Sequence, residues 1–199
     1  MADAQTALRE TALAGLVETY GELELEPADD LFEQLTISII NQLISTEAAQ
    51  TVRNQVFAAI DVSPEGVRAA DRSTLREAGL SPQKIEYLTA VANWFSDESI
   101  TVDSFHNMSD TAVITELTQI RGIGVWTAKM TLMFGLGRQD VFPVEDLAVR
   151  REMTTRFGDE SRTQMRQRAE SWSPYRSIAT LYLWESYTDD DASTEVLST

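Results

Sequence analysis

Two stretches of the 199-residue chain carry residue types and spacings that can do chemistry. The first is Leu117-Thr118-Gln119-Ile120-Arg121-Gly122-Ile123-Gly124-Val125-Trp126-Thr127-Ala128. A helical pattern ends, a Gly-x-Gly turn follows, and a new helical pattern begins at once. Glycines permit backbone angles closed to other residues and let the main chain approach another surface closely. The second helix then presents its first N–H groups and the positive end of its dipole outward, an anion site that needs no lysine. A DNA phosphate suits such a site, because an apolar-Gly-apolar-Gly turn can press flat against a sugar–phosphate backbone. The plain alternative is an ordinary tight turn between two helices. Trp126-Thr127-Ala128 and the flanking helices weigh against it.

Further on lies Gly135-Leu136-Gly137-Arg138-Gln139-Asp140-Val141-Phe142-Pro143-Val144-Glu145-Asp146, a loop ending, about twenty residues beyond the turn, in adjacent carboxylates at a helix start. An acid there can be no more than an N-cap, worth ~1 kcal/mol. It can also be a carboxylate held ready for a developing positive charge. The residue types leave both readings of Asp146 open.

The elements that must position these residues read as helices from end to end. There is no sustained period-two alternation and no hairpin signal. Leu13, Leu16, Val17 and Tyr20 share one helical face. Asp30 with Glu33 predicts a capped helix running to about Ser45. Ser45 or Thr46 caps the next, with Val52, Val56, Phe57 and Ile60 inward. Ser63-Pro64 and Ser81-Pro82 are serine caps followed by proline at the first helical position. Asp71 opens a short helix that Gly79 closes. Ile85, Leu88, Ala92 and Phe95 line the helix after Pro82, and Ser109 caps one with Val113, Leu117 and Ile120 inward. Further helices are expected at about 126–135, 145–157, 161–172 and 174–188. The fold class is all-α, with short connections. Residues 189–199 are expected to be a frayed acidic tail.

Composition narrows the chemistry. With no cysteine, disulfides, thiolate nucleophiles and iron–sulfur clusters are excluded. One histidine, His106, cannot build a multi-histidine metal site, and it lies outside both stretches, so it reads as structural or surface. No apolar run reaches ~18 residues, and the start, MADAQTALRE, is too polar for a secretory signal, so a cytoplasmic protein is expected. The net charge is −16, and only Lys84 and Lys129 are lysines. The distribution is uneven: residues 1–120 carry −14, 121–187 carry +2 and 188–199 carry −4. Excess acid with scarce lysine suggests a salt-rich cytoplasm, where self-repulsion is screened.

Taken together, Ile120-Arg121-Gly122-Ile123-Gly124-Val125-Trp126-Thr127-Ala128, the Gly/Pro loop and Asp146 resemble the helix-hairpin-helix (HhH-GPD) DNA glycosylase superfamily, the DNA-3-methyladenine glycosylase II type above all. Phe32-Glu33-Gln34 leading into Asn41-Gln42-Leu43-Ile44-Ser45 is similar to the family's early helix and DNA-wedging turn. Trp172-Ser173-Pro174-Tyr175-Arg176-Ser177 with Trp184 is similar to its late segment. The resemblance covers about residues 31–187. It implies two interleaved helical subdomains with the active-site cleft between them. One is 31–140, including the hairpin at about 112–135; the other is 1–30 with 141–188.

The resemblance puts Asp146 beside C1′ of the target sugar, to stabilise the oxocarbenium character of bond breakage or to orient water. Glu145 is the runner-up. It implies a base pocket of Trp126, Tyr175 and Met130, the last standing where some relatives have tyrosine. DNA contacts are implied for Ile120, Arg121, Gly122, Ile123, Gly124, Val125, Thr127, Gln42 and the wedge Leu43. A buried core leucine is an equal reading of Leu43. Trp94, Trp172, Tyr182 and Trp184 fit core packing better than a pocket. Arg121, Arg138, Arg150, Arg151 and Arg176 are phosphate candidates, with a solvated face favoured for Arg150.

Bifunctional relatives carry lysine where Trp126 stands, so no strand cleavage is expected. The expected partner is double-stranded DNA holding a damaged base, met by a monomer. No cofactor is expected, beyond Na+ or K+ at the hairpin carbonyls that the resemblance implies. Three functions stay open: a monofunctional glycosylase for alkylated purines, one of the same fold for deaminated or oxidised bases, and a non-catalytic DNA-binding module.

Overall fold

Several helix starts in this chain are set by serine and aspartate side chains reaching the backbone N–H three residues on. Asp30 accepts from Glu33 N at 2.8 Å, Ser45 from Ala48 N at 3.3 Å, Ser63 from Gly66 N at 3.0 Å and Ser109 from Ala112 N at 3.2 Å. Each satisfies one amide that the first helical turn leaves without an internal partner. The computed structural model describes residues 3–98 and 102–196.

In chain order the described helices are α1 (Ala4–Arg9), α2 (Ala14–Tyr20), α3 (Leu31–Asn41), α4 (Thr46–Ala59), α5 (Pro64–Ala69), α6 (Arg72–Glu77), α7 (Pro82–Glu98), α8 (Asp110–Leu117), α9 (Val125–Met130), α10 (Leu147–Phe157), α11 (Arg162–Ala169) and α12 (Arg176–Val196). Among the described residues there is no strand, as an all-α protein requires. The chain divides into two units, residues 27–136 and residues 1–26 with 137–199. The crossings fall about four residues before those expected from the sequence.

In the 27–136 unit α3 is the hub, packed on α4, α7 and α9. Its Phe32 meets Phe95 of α7 edge to face at 5.3 Å. Ile85, Leu88, Ala92 and Phe95 of α7 and Val113 and Leu117 of α8 are buried, as their spacing predicts. On α4 only Val56 of the expected face is fully buried; Val52, Phe57 and Ile60 are half-buried. Two expected helices change course. α3 stops at Asn41 instead of Ser45, because Leu43 turns to a positive φ of 58°. α9 passes into a π turn over Thr131–Gly135, where Leu136 N reaches back to Thr131 O and the Thr131 hydroxyl to Thr127 O.

In the other unit, Leu8, Leu13, Val17, Val149, Met153, Met165, Trp172, Tyr182 and Leu183 form one core, with Tyr20, Tyr175 and Trp184 packed against it. α11 gives way to a 3-10 turn at Glu170–Trp172. The acidic tail differs from expectation. α12 continues to Val196, past the expected fray point, since nothing in Asp189–Val196 breaks a helix and the Tyr20 hydroxyl donates to Asp189 at 2.9 Å. Residues 197–199 of that tail lie outside the described residues.

Candidate active site

The hairpin turn between α8 and α9 separates the duties of its two glycines. Gly122 has φ 96°, and a Cβ there would stand 2.1 Å from the Tyr87 ring, so only glycine fits. Gly124 has an ordinary φ of −93°, and a Cβ there would meet nothing within 4 Å. Folding does not demand glycine at 124; the space over it is open to a close-approaching ligand. Val125, the first residue of α9, is exposed beside it.

The hairpin side chains divide in the same way. Ile120, Ile123, Thr127 and Met130 are buried. What the first three can offer a strand is therefore main chain. Trp126 is half-buried. Arg121 is well exposed, and its guanidinium lies 2.7 Å from the Glu86 carboxylate.

The same unit presents a second feature where α3 ends. Leu43 is fully exposed and, among the described residues, is the one non-glycine with positive φ. A left-handed leucine costs about 1–2 kcal/mol, and exposing its side chain forgoes burial worth about 1.5–3 kcal/mol. The core-leucine reading is thereby removed: the turn holds an apolar side chain out in solvent. Beside it Gln42 donates through Nε2 to Gly122 O at 3.1 Å and to Thr127 Oγ1 at 3.0 Å.

In the unit formed by both termini, the loop after Gly137 is fastened from two sides. Val141, Phe142 and Val144 are buried beneath it. Above, Ser177 N donates to Gln139 O, the Ser177 hydroxyl to Arg138 O, and Val141 N to Ser177 Oγ. Asp140 accepts Arg176 through both oxygens, Nε at 2.7 Å and Nη2 at 3.0 Å, and Ser173 Oγ at 2.8 Å. Burial pushes the Asp140 carboxyl up, but the Arg176 and Ser173 hydrogen bonds outweigh it and hold it below its ordinary value. This network also fixes the chain around half-buried Tyr175.

The loop delivers Asp146 to the N-cap of α10. Its Oδ1 accepts from Val149 N at 3.0 Å and from Trp184 Nε1 at 3.2 Å. Both donors meet the same oxygen, so Asp146 is the N-cap of α10 and is also held by the Trp184 indole. The neighbouring acid is used otherwise: Glu145 faces Arg166 at 3.3 Å, and its carbonyl accepts from Arg150. Leu147, the next residue, is exposed.

Several residues have duties that the sequence did not reveal. Trp184 donates to Asp146, and no spacing links the two. Arg150 holds the carbonyls of Val144 and Glu145 instead of lying on a solvated face, and Arg176 is committed to Asp140. Arg151 donates to the Tyr187 hydroxyl. Trp94 stacks on Phe105, Trp172 and Tyr182 are buried, and His106 is exposed, all as their patterns suggest.

The model of the HhH-GPD superfamily base excision DNA repair protein matches residues 37–176, a span holding the Leu43 turn, the hairpin and Asp146. The chain belongs to this superfamily. The HhH-GPD chain is 30% identical to DNA-3-methyladenine glycosylase 1 of Schizosaccharomyces pombe, over 87% of its own length and 80% of that protein's. A solved structure of 3-methyladenine DNA glycosylase from the same yeast, in complex with abasic DNA, superposes with a TM-score of 0.85 at 27% identity, covering 93% of this chain and 96% of that one. A DNA-3-methyladenine glycosidase from Bacillus halodurans superposes with a TM-score of 0.76 at 31% identity, covering 92% and 88%. Among the described residues of the HhH-GPD chain, no group of His, Asp and Glu is arranged to hold a metal ion, and no helix is long and apolar enough to cross a membrane.

Proposed function

We propose that this HhH-GPD protein is a monofunctional DNA glycosylase of the 3-methyladenine type. It extrudes an alkylated purine from duplex DNA and hydrolyses its N-glycosidic bond in base excision repair. The observation that carries the reading is Asp146, a carboxylate oriented by a helix N-terminus and an indole N–H, on a chain whose relatives bear that activity in their names.

The target atom is out of reach inside a base pair, so the nucleotide must leave the stack. The hairpin takes the backbone through Gly124 and the first amides of α9, with Arg121 beside it. Leu43 fills the gap left by the extruded base. Trp126 and Tyr175 each offer an aromatic face, which attracts a cationic alkylated base. Such a base leaves without a proton donor, so no histidine is needed. The sugar develops positive charge, and Asp146 stabilises it or orients the attacking water. Trp126 cannot form a Schiff base, so an abasic site is the product.

Na+ or K+ at the hairpin carbonyls belongs to the same proposal, as does work on DNA in a salt-rich cytoplasm. Its support is the charge of −16 with two lysines, and a strand grip built on amides and a wedge, which salt weakens less than lysine contacts.

The test is a panel of single-lesion duplexes assayed for base release with and without alkali, run with the wild type and Asp146→Asn. Release of 3-methyladenine with no strand scission before alkali supports the proposal. Release confined to deaminated or oxidised bases reassigns the substrate, and binding without release makes the chain a binding module. The asparagine side chain can still accept from Val149 N, so the variant should fold and bind duplex while excision drops by about a thousandfold. Glu145→Gln, which gives up the charge pair with Arg166, should excise normally.

A further inference from the structure

Two contacts fasten the turn that exposes Leu43. Lys84 Nζ donates to Ile40 O at 2.7 Å, at the last turn of α3. Gln42 Nε2 donates to Gly122 O and to Thr127 Oγ1. The Gly122 carbonyl can only accept, which settles that the amide nitrogen of Gln42 faces it. The two acceptors engage both N–H bonds of that nitrogen. Both sit against packed neighbours: Gly122 lies on the Tyr87 ring, and Thr127 is buried in α9. Residues 80 and 85 positions from Gln42 in sequence thus share one side-chain nitrogen with it.

We propose that Gln42 is a positioning residue that makes the Leu43 wedge and the strand-gripping hairpin one mechanical piece. A wedge on a strained, solvent-exposed turn could follow the stack instead of penetrating it. Tied to Gly122, its height above the duplex is set by the same turn that receives the strand two residues on at Gly124, so gripping the backbone sets the depth at which Leu43 enters. Glutamine suits the task where its nearest substitutes do not. Asparagine is one methylene short, and glutamate would set an acceptor against the Gly122 carbonyl. Gln42 therefore acts through Leu43 and not by touching DNA with its donor nitrogen. The inference rests on the glycosylase reading and concerns how its wedge is held.

The experiment is a double-mutant cycle of Gln42→Met and Leu43→Ala. Methionine keeps the length and bulk of glutamine and removes the donors. Two readouts are taken: single-turnover base release from a duplex lesion, and fluorescence of 2-aminopurine stacked beside an abasic site, which reports unstacking with no excision. Thermal melting identifies folded variants, and Thr127→Val, which removes one acceptor, is carried alongside should Gln42→Met fail to fold. Gln42→Met is expected to slow release about tenfold and to lower the 2-aminopurine signal. In the Leu43→Ala background the same change should have no further effect on either readout. Effects that multiply in the double variant would overturn the proposal, as would a wild-type 2-aminopurine signal in Gln42→Met. If the wild type releases no base from any lesion, the glycosylase reading fails, and the 2-aminopurine cycle still decides the tie.

Discussion

The indole Nε1 of Trp184 stands 3.2 Å from Oδ1 of Asp146, and this contact orients the carboxyl group that caps α10. The cap bond from Val149 N alone leaves the carboxyl free to rotate about its own hydrogen bond. The second donor, fixed by the packing of α12 on α10, removes that freedom.

Trp184→Phe keeps an aromatic body against the core and deletes the donor. Base release is expected to fall about tenfold, the effect of losing one hydrogen bond to a charged group, with little change in duplex affinity. Single-turnover kinetics and a binding titration on the same lesion duplex check it. A rate equal to wild type would mean that the cap bond suffices to orient Asp146.

This contact also marks where reading the sequence stops. Asp30, Ser45, Ser63 and Ser109 were legible as caps because a cap is local, a side chain meeting an amide three residues on. The face of α7 was legible because helical periodicity is local too. Trp184 with Asp146, and Gln42 with Gly122, join residues tens of positions apart, and no spacing rule links them. The early end of α3 was hidden for another reason: the residue that turns left-handed is a leucine, where a glycine would have announced the turn. Arg150 and Arg176 show that a charge in a sequence does not name its partner. The two glycines of the hairpin were visible at once, but only the packing of Tyr87 separates their duties.

Those two glycines make opposite predictions. Gly122→Ala forces a methyl group into the Tyr87 ring at a positive φ, and should destabilise the protein by several kcal/mol or prevent folding. Gly124→Ala meets no atom within 4 Å at an ordinary φ, so its thermal stability should equal or slightly exceed wild type. Duplex affinity should nevertheless drop about tenfold, because the new methyl group occupies the space a backbone must enter. Melting curves and duplex titrations of the pair check it. An unchanged affinity in Gly124→Ala would remove this turn from the strand-binding surface.

Asp140 gives a pH signature. Its carboxyl is held below its ordinary value of 3.8, because the Arg176 and Ser173 hydrogen bonds outweigh burial. A depressed carboxylate contributes stability that is fully present above its unfolded value and is lost as the pH falls through its folded value. Asp140→Asn should therefore melt below wild type at neutral pH by about 1 kcal/mol, the upper end for an ion pair partly open to solvent. The gap should close as the pH falls below 3.8, where wild-type Asp140 also takes up a proton. Melting both proteins from neutral to strongly acidic pH checks it. A gap that persists in acid would assign the loss to packing and not to charge.

In the proposed glycosylase, the pair of Arg121 and partly exposed Glu86, 2.7 Å apart beside the hairpin, should set how salt acts on DNA binding. In the free protein the pair is locally neutral, so Arg121 meets a phosphate with Glu86 still close by. The attraction and the repulsion largely cancel, and few counterions are released. Glu86→Gln removes the repulsion and leaves one uncompensated positive charge at the turn. Duplex binding should tighten at low salt, and the slope of log affinity against log salt should steepen by about one unit. The two proteins should converge at molar salt, where charges are screened beyond about 3 Å. Titrations from low to molar KCl check it, and parallel slopes would show that Arg121 does not face a phosphate. Convergence would mean that the acidic partner trades low-salt affinity for binding that salt barely alters, as a chain of net charge −16 requires if it is to hold a polyanion.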